Sequence, residues 1–385
     1  MNPQVVAATI AASVSVLTLI GTLAAQYLGR RATSRQLDRT LAEQRTRTLN
    51  ERFATAAEQL GSDKPAVRLA GVYAMAGLAD DWEEDRRTCV DVLCAYLRMP
   101  YEPDPGQDAG EPERLAFRAS REVRHTVIRV IAAHLKDGAA VSWQGLNFDF
   151  TGVVFDGGDF SEAEFSGGTV DFSHAEFSGG EVHFDDAKFS GSVVDFDDAK
   201  FTGSEVPFSF AEFSGGTVDF SGANFSGGEV HFDGANFSGG EVDFDGANFS
   251  GGEVDFDGAN FSGGEVHFDD AKFTGSEVHF TLAKFSGSKV HFGHAPLSVD
   301  SRGAEFSGGE VRFTFAKFTG GEVGFSRAKF TGGEVDFSSA KFTGGTVDFS
   351  RPGDWSFPPA FPWTDTPPPG VKLPKTEDHP RRRFA

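Results

Sequence analysis

The clearest pattern in the chain is a regular alternation of apolar and polar positions between Val141 and Arg351. Phenylalanines recur there in alternating steps of seven and five residues, and Ala or Val stands two residues before each of them, as in the dodecamer Ala235–Gly246, ANFSGGEVDFDG. Steps of five between the steps of seven do not fit the 3.6-residue period of a helix, so the pattern predicts stacked extended segments with inward-facing Phe side chains. The predicted core positions include Trp143, Phe225, Phe232, Phe237, Phe244, Phe249, Phe256, Phe261 and Phe268.

The dodecamer consists of two pentapeptides of the form [Ala/Val]-x-Phe-[Ser/Asp]-Gly, with Gly-Glu inserted after every second one. One dodecamer cannot bury its own Phe pair, whereas coils stacked about 4.8 Å apart would turn the rings into continuous columns and pair the backbones. Glycines after the Phe residues predict corners with positive φ. Two stretches are irregular: Phe155, Phe160 and Phe165 lack an insert, and Leu297–Ser301 is a pentapeptide without Gly-Gly-Glu, before the pattern resumes at Ala304.

This unit resembles the pentapeptide-repeat family, whose pattern is a small apolar residue two positions before a central Leu or Phe. The resemblance covers residues 141–351. It implies a mainly β fold, a right-handed quadrilateral β-helix with four pentapeptides per coil and central residues inside. The Gly-Glu insert departs from the simplest family pattern. Two geometries therefore stay open: a four-sided coil of two dodecamers with 5+7 spacing, or a flatter, two-sided coil of one dodecamer.

The N-terminal region, residues 1–30, contains a run of 24 residues from Val5 to Leu28 without a charged side chain. Such a run is long enough to cross a bilayer as a helix. Arg30 and Arg31 follow at once, whereas Met1–Gln4 has no basic side chain, which favours an anchor over a secretory signal. The asymmetry predicts a single-pass protein of the cell membrane, with the N-terminus outside and the solenoid in the cytoplasm. A cleaved export signal is the alternative.

Residues 31–61 carry Leu and Phe at helical spacing and predict a helical stalk. A homodimer through this stalk stays open, because there are too few heptads to predict a coiled coil. Residues 62–138 predict a small α-helical module, with helices starting at Pro65, near Glu84 and near Arg114. Residues 53–74 resemble the helical segment before the solenoid in some membrane-associated bacterial pentapeptide-repeat proteins, and are also similar to a HEAT-like or armadillo-like helix pair.

Both ends of a solenoid must be covered, because an open coil exposes Phe rings and unpaired backbone. At the N-terminal end the third helix and Trp143 are placed to do this. At the C-terminal end, residues 352–385 hold Trp355, Phe357, Phe361 and Trp363, followed by a Pro-rich stretch. The aromatic residues predict a cap, and the chain from Thr364 onward predicts a disordered or polyproline tail.

The charge of the chain is concentrated in the repeats. The whole chain has 35 Lys and Arg against 57 Asp and Glu, a net charge of −22. Residues 141–351 hold 12 basic and 35 acidic side chains, so 12 − 35 = −23 and the remainder carries +1. Direct nucleic-acid binding is excluded on this ground, since it needs Lys and Arg to neutralise phosphate. Protein partners with basic surfaces are compatible with it.

Candidate chemistry is sparse. Cys89 and Cys94 are five residues apart on a predicted helix and do not form a CxxC pair, so no metal or redox pair is predicted. Five histidines share the position before the second Phe of the repeat: His183, His231, His267, His279 and His291. In a 24-residue coil His267 and His291 would be vertical neighbours, about 4.8 Å apart. A surface metal site or pH sensor is one interpretation, but the same position accepts Asp and Pro, which favours an ordinary outward position.

The repeated carboxylates predict solvated ladders, because a catalytic pair should break the repeat and sit in a cleft. The inserted Glu residues stack like charges, and whether cations bind there stays open; the Gly-Gly-x-Gly-x-Asp pattern of calcium-binding β-rolls is missing. No phosphate loop or nucleophile motif occurs, so neither an enzyme nor a cofactor is predicted. The predicted function is a membrane-anchored, non-catalytic, acidic protein-interaction scaffold. The alternative, implied by the family resemblance, is a DNA-mimicking regulator of DNA gyrase or another topoisomerase.

Overall fold

The chain folds into a helical module followed by a β-solenoid. The computed structural model describes residues 3–102, 104–293 and 303–375, without the side chains of residues 3–25, 28–30 and 32–34. Its helices are α1 (Pro3–Leu60), α2 (Pro65–Asp81), α3 (Arg86–Arg98) and α4 (Glu111–Leu135), with a short 3-10 helix at Glu83–Asp85. The strands are β1 (Phe148–Asp149), β2 (Val154–Phe155), β3 (Gly158–Asp159), β4 (Glu164–Phe165), β5 (Thr169–Asp171), β6 (Glu176–Phe177), β7 (Val182–His183), β8 (Lys188–Asp195), β9 (Lys200–Phe201), β10 (Glu205–Pro207), β11 (Glu212–Asp219), β12 (Asn224–Phe225), β13 (Glu229–His231), β14 (Asn236–Asp243), β15 (Asn248–Phe249), β16 (Glu253–Asp255), β17 (Asn260–Phe261), β18 (Glu265–His267), β19 (Lys272–Phe273), β20 (Glu277–His279), β21 (Lys284–Phe285), β22 (Lys289–His291), β23 (Glu305–Phe306), β24 (Glu310–Arg312), β25 (Lys317–Gly324), β26 (Lys329–Phe330), β27 (Glu334–Asp336), β28 (Lys341–Asp348) and β29 (Val371–Lys372).

The predicted membrane span and stalk form one continuous helix, α1. Apart from Gln26 and Tyr27, the side chains of Val5–Leu28 lie outside the described residues. Among the residues that are described, no helix is both long and apolar enough to cross a membrane.

The coil has four sides and consists of two dodecamers. Strands pair in parallel with strands one coil further on, and the registers join Phe225 to Phe249, Val230 to Val254 and Val242 to Val266. Each partner stands two dodecamers further along the chain, so the two-sided alternative of one dodecamer is wrong. The solenoid has about nine such turns. The first coil is two positions shorter, since Phe155 pairs with Phe177.

One coil is longer than the others by nine positions. Phe273 pairs with Phe306, and Ala304 N–H donates to the Phe292 carbonyl at 2.9 Å. In the regular coils that donor is the Ala three positions after the Phe, as where Ala247 donates to Phe244. The hydrogen bond from Ala304 to Phe292 therefore forms the corner of this longer coil. The pentapeptide predicted at Leu297–Ser301 lies outside the described residues.

Four columns of Phe rings fill the interior. The rings of Phe232, Phe237, Phe244 and Phe249 each lie 4.7–4.8 Å from the ring one coil further on, nearly parallel to it. All predicted Phe core positions and Trp143 are at most 2% exposed. Ala and Val, two residues before each Phe, are also buried, because the corner next to each ring leaves room for a small side chain only.

The corners need unusual backbone conformations. Ala247 N–H donates to the Phe244 carbonyl at 3.1 Å, and Gly246 between them has φ +66°, as the third residue of a type II turn does. Asp198 and Asp270 occupy the equivalent position in other coils, also with positive φ. In the Ser-Gly-Gly insert the constraint is stricter, since a Cβ on Gly240 (φ +74°) would lie 2.5 Å from the Gly216 carbonyl oxygen of the preceding coil.

We therefore expect Gly240→Ala to destabilise the solenoid more than Gly246→Ala. Both substitutions place Ala at positive φ, which costs about 1–2 kcal/mol. A Cβ at Gly246 meets nothing within 4 Å, whereas at Gly240 the clash with backbone should add about 1–3 kcal/mol. Urea unfolding of the two variants measures the difference. Equal losses would show that close contact between coils does not restrict this position.

The helical module covers the N-terminal end of the solenoid. The Trp143 side chain is fully buried, stacks on the His134 ring at 3.9 Å and donates its indole N–H to Asp80 Oδ1 at 3.0 Å. From α4, Arg121 Nη2 donates to the Asp156 carbonyl at 2.8 Å, and His125 Nε2 lies 3.0 Å from Asp156 Oδ1. The apolar core therefore runs without a break from the helices into the coils.

The C-terminal end is closed by aromatic rings and a further strand. Trp355 packs on Phe330 at 5.1 Å, and Trp363 packs on Phe342 at 5.2 Å. The prediction of a disordered or polyproline tail from Thr364 is wrong at Val371 and Lys372, because β29 pairs there in parallel with β28. The tail can pair because the Val347 N–H and the Phe349 N–H both find carbonyl acceptors in it, those of Gly370 and Lys372.

Candidate functional site

The register between coils divides the five repeat histidines between two faces of the solenoid. His183, His231 and His279 lie on β7, β13 and β20, outside the Phe232 column. His267 and His291 lie on β18 and β22, outside the Phe244 column. On each face, this repeat position therefore contributes one side chain from every coil, and these side chains are stacked in register along the solenoid.

On the first face, His231, Asp255 and His279 form what we call the Asp255 ladder. The registers place them on consecutive coils. His231 Nδ1 lies 3.3 Å from Asp255 Oδ2, and His279 Nδ1 lies 2.8 Å from Asp255 Oδ1. Both contacts are largely shielded, because the side chains of Asp255 and His279 are only 14% and 11% exposed.

The ladder stabilises charged forms of its members. The hydrogen bond with Asp255 outweighs burial and raises the pKa of His231 to about 9. The same contact raises the pKa of His279. Burial alone would raise the pKa of Asp255, but the contacts with His231 and His279 prevail and lower it to about 2. At neutral pH the ladder is therefore a carboxylate between two imidazoles that favour the protonated form.

We expect this ladder to make stability depend on pH. The raised pKa of His231 contributes stability that is fully present below about pH 6.5 and lost as the pH rises through about 9. The loss should be on the order of 2–3 kcal/mol. Comparing the free energy of unfolding at pH 6 and pH 9.5 should show a smaller drop for His231→Asn than for the wild type. The control is His174→Asn, because the His174 side chain is 61% exposed and its Nδ1 lies 3.8 Å from Asp198 Oδ2. If the free energy of unfolding falls by the same amount between pH 6 and pH 9.5 in both variants, the ladder is not the source of the pH dependence.

On the second face, Glu241, Asp243 and His267 form what we call the His267 cluster. One ligand atom of each lies within 4.8 Å of those of the other two. Burial raises the pKa of Asp243 to about 7, and the nearby carboxylates of Asp245 and Glu241 add to this rise. The His267 ring stacks on that of His291, with centroids 5.3 Å apart, close to the vertical spacing expected from the sequence.

A column of glutamates runs beside the Asp255 ladder, one per coil. The registers align Glu181, Glu205, Glu229, Glu253, Glu277, Glu310 and Glu334. The side chains of Glu229 and Glu277 are 58% exposed. Elsewhere lysines bridge adjacent coils, as where Lys200 Nζ lies 2.7 Å from Glu176 Oε1. The glutamate column thus places one carboxylate per coil on this face, and Arg312 pairs with one of them, Glu310.

Sequence reasoning missed Asp255, Asp243 and Glu241 as partners of the histidines. The signal was present, since His231, Asp255 and His279 follow one another at intervals of two dodecamers, the interval that predicted the His267–His291 pair. Cys89 and Cys94 are buried free thiols, and burial raises their pKa values to about 11 and about 12. Both therefore stay protonated and unreactive at neutral pH.

Comparison with known proteins gives a family match for part of the repeats. A family model described as pentapeptide repeats (9 copies) matches residues 150–200 and 196–247. No curated protein and no solved structure matches the chain. The matched residues lie within the coils of stacked Phe, with a small apolar residue two positions before each ring. Residues 150–247 are therefore similar to pentapeptide repeats, and the later coils continue the same pattern of Ala or Val two positions before Phe.

Proposed function

We propose that the protein is a membrane-anchored, non-catalytic scaffold whose acidic solenoid binds proteins with basic surfaces. The observation that carries this proposal is the rigid repetition of outward carboxylates, one per coil, on a domain with a net charge of −23 (12 basic and 35 acidic side chains in residues 141–351). A partner with Lys or Arg at a matching spacing could contact several coils at once. Electrostatic complementarity of this kind raises the association rate and selects partners.

The middle of the solenoid is the best candidate for the contact surface. Residues 201–271 contain 14 Asp and Glu and no Lys or Arg. Glu205, Glu229 and Glu253 of the glutamate column lie in this part. Because the strands are fixed by pairing on both sides, the carboxylates are held in place before binding, which lowers the entropic cost of association.

A non-catalytic role fits the arrangement of the carboxylates. Acid–base catalysis needs a few groups set apart from the rest in a cleft. Here the acidic groups recur on the outer faces of successive coils, and the Asp255 ladder is neutralised by its own histidines.

The anchor in this proposal is Val5–Leu28, followed by Arg30 and Arg31, with the N-terminus outside and the solenoid in the cytoplasm. Membrane fractionation with an alkaline wash tests the anchor, and protease protection of the solenoid in sealed cells tests the orientation. Release of the protein by the wash would remove the anchor from the proposal and leave the scaffold to be tested separately.

The scaffold is tested by crosslinking and pull-down from native membranes with the full-length protein. The informative variant changes Glu205, Glu229, Glu253 and Glu277 to Gln, which removes four charges from one face. The matched control changes Glu83, Glu84, Glu111 and Glu113 to Gln in the helical module. We expect partners with basic surfaces to be lost from the first variant only. Equal recovery with both variants would contradict binding through the glutamate column.

The same charge favours a second candidate, a regulator of DNA gyrase or another topoisomerase that imitates duplex DNA. The four-sided rod presents negative charge at regular intervals, as duplex DNA does. In a supercoiling assay, a DNA mimic should inhibit gyrase, and the inhibition should weaken at high salt. Recovery of gyrase subunits in the pull-down together with inhibition would favour this candidate, whereas an unaffected gyrase would remove it.

A further inference from the structure

The His267 cluster is one of three groups of acidic and histidine side chains whose ligand atoms converge in the described part of the chain. Strands β14 and β18 pair with Glu241 beside Glu265 and Asp243 beside His267. Alternate residues of a strand point to the same side, so Glu241 and Asp243 both lie on the outer face together with His267. A ligand atom from each lies within 4.8 Å of the other two, so the three side chains could hold one cation.

A second observation points to a missing ligand. His267 is only 9% exposed. Its Nε2 atom is buried and, among the residues that the structure describes, has no hydrogen-bond partner. The nearest acidic oxygens, Glu241 Oε1 and Glu265 Oε2, are each 3.6 Å away, too far for a direct hydrogen bond. A buried nitrogen without a partner costs free energy, and a metal ion bound to it would remove that cost.

The surrounding charges also favour a cation. Asp243 lies among Asp219, Asp245, Asp269 and Glu241, all of which repel its charged form. Lys289, the nearest basic residue in register, donates from Nζ to Glu265 Oε1 at 2.6 Å. In the part of the chain that the structure describes, no Lys or Arg forms an ion pair with Glu241 or Asp243.

The Asp255 ladder provides the contrast. Two groups on that face also have ligand atoms within 4.8 Å of one another, namely His231, Asp233 and Asp255, and Glu253, Glu277 and His279. There, however, His231 and His279 already bind the Asp255 carboxylate, and Arg312 Nη1 lies 3.3 Å from His279 Nε2. The Asp255 carboxylate therefore already has cationic partners within the protein, which the carboxylates of the His267 cluster lack among the described residues.

The donor set indicates the kind of metal. One imidazole nitrogen and two carboxylate oxygens suit Zn²⁺ and neighbouring divalent transition metals, whereas Mg²⁺ and Ca²⁺ prefer oxygen ligands alone. We propose that Glu241, Asp243 and His267 form a binding site for a divalent transition-metal ion of the zinc class, with water as a further ligand. This inference does not depend on the scaffold function.

The test uses Co²⁺ as a spectroscopic probe for Zn²⁺, with the full-length protein in detergent after removal of metals by a chelator. We expect one equivalent of Co²⁺ to produce visible absorption bands that Zn²⁺ abolishes and excess Ca²⁺ does not. His267→Gln should weaken binding at least about tenfold, since even the loss of an outer-shell partner has an effect of this size. Asp243→Asn should do the same, and it decides the question if His267→Gln fails to fold by circular dichroism.

The matched control is His279→Gln, because His279 is as buried as His267 and holds the equivalent repeat position on the other face. This variant should bind Co²⁺ as the wild type does. The proposal is overturned if Co²⁺ shows no saturable binding at micromolar concentrations. It is equally overturned if His267→Gln and Asp243→Asn bind with wild-type affinity, or if binding is lost in His279→Gln instead.

Discussion

Replacing Phe256 with Ala should lower the free energy of unfolding by about 3–5 kcal/mol. The Phe256 ring is fully buried between those of Phe232 and Phe280, each 4.8 Å away, and has edge contacts with Phe244 and Phe268. The substitution therefore leaves a cavity in the middle of a column, and the neighbouring coils cannot close it because their backbones are paired on both sides. Urea unfolding of the full-length protein measures the loss.

The matched control is Phe210→Ala, which makes the same chemical change at a ring that is 64% exposed. We expect a change within about 0.5 kcal/mol, as for other surface positions. Hydrogen exchange should separate the two variants further. Because each coil contacts only its neighbours, Phe256→Ala should accelerate exchange in the coils beside residue 256 before it affects the ends. Equal effects of both substitutions would contradict a column stabilised by ring burial.

Replacing Arg124 with Met should separate the helical module from the first coil. Arg124 is 4% exposed, and its Nη1 and Nη2 donate to the carbonyls of Leu97 (2.6 Å) and Val154 (2.8 Å). Its guanidinium also lies 4.2 Å from the centre of the Tyr101 ring. Met fills a similar volume but donates no hydrogen bond, so both carbonyls would be left buried without this donor. At about 1–3 kcal/mol for each carbonyl, the destabilisation should reach roughly 2–6 kcal/mol.

The control for Arg124 is Arg118→Met on the same helix, since the Arg118 side chain is 63% exposed and pairs with Glu111. Such exposed pairs contribute little, so we expect about 0–1 kcal/mol. Hydrogen exchange should rise around Val154 in Arg124→Met and stay unchanged in Arg118→Met. If exchange rises within the helices only, Arg124 stabilises the module and not its junction with the solenoid.

The repeat made most of the solenoid predictable. Phe at steps of five and seven identified the buried columns, and the small residue before each Phe identified the corners. The number of sides could not be read in this way, because a dodecamer is half of a four-sided coil and also the whole of a two-sided one. Pairing between positions two dodecamers apart, such as Phe225 with Phe249, decides it.

The candidate sites were only partly predictable. The His267–His291 pair was predicted by assuming a coil of 24 residues, and the two rings do stack. The contacts of His231 and His279 with Asp255 depend on side-chain directions on three different strands. In the sequence, Asp255 was one more tolerated residue at an outward position. Arg124 gave no signal at all, because a buried arginine on an amphipathic helix looks like any solvated one.

The sequence by itself determined the columns, the corners, the helical module and the concentration of negative charge in residues 141–351. These follow from local pattern, in which each dodecamer repeats the same choice between buried and exposed positions. Only the tertiary structure decided the register between coils, and with it the difference between a ladder neutralised by its own histidines and a cluster that lacks such neutralisation. The physical reason is that electrostatic partners are set by the distance between side chains on neighbouring coils, and that distance exists only after the coils have stacked.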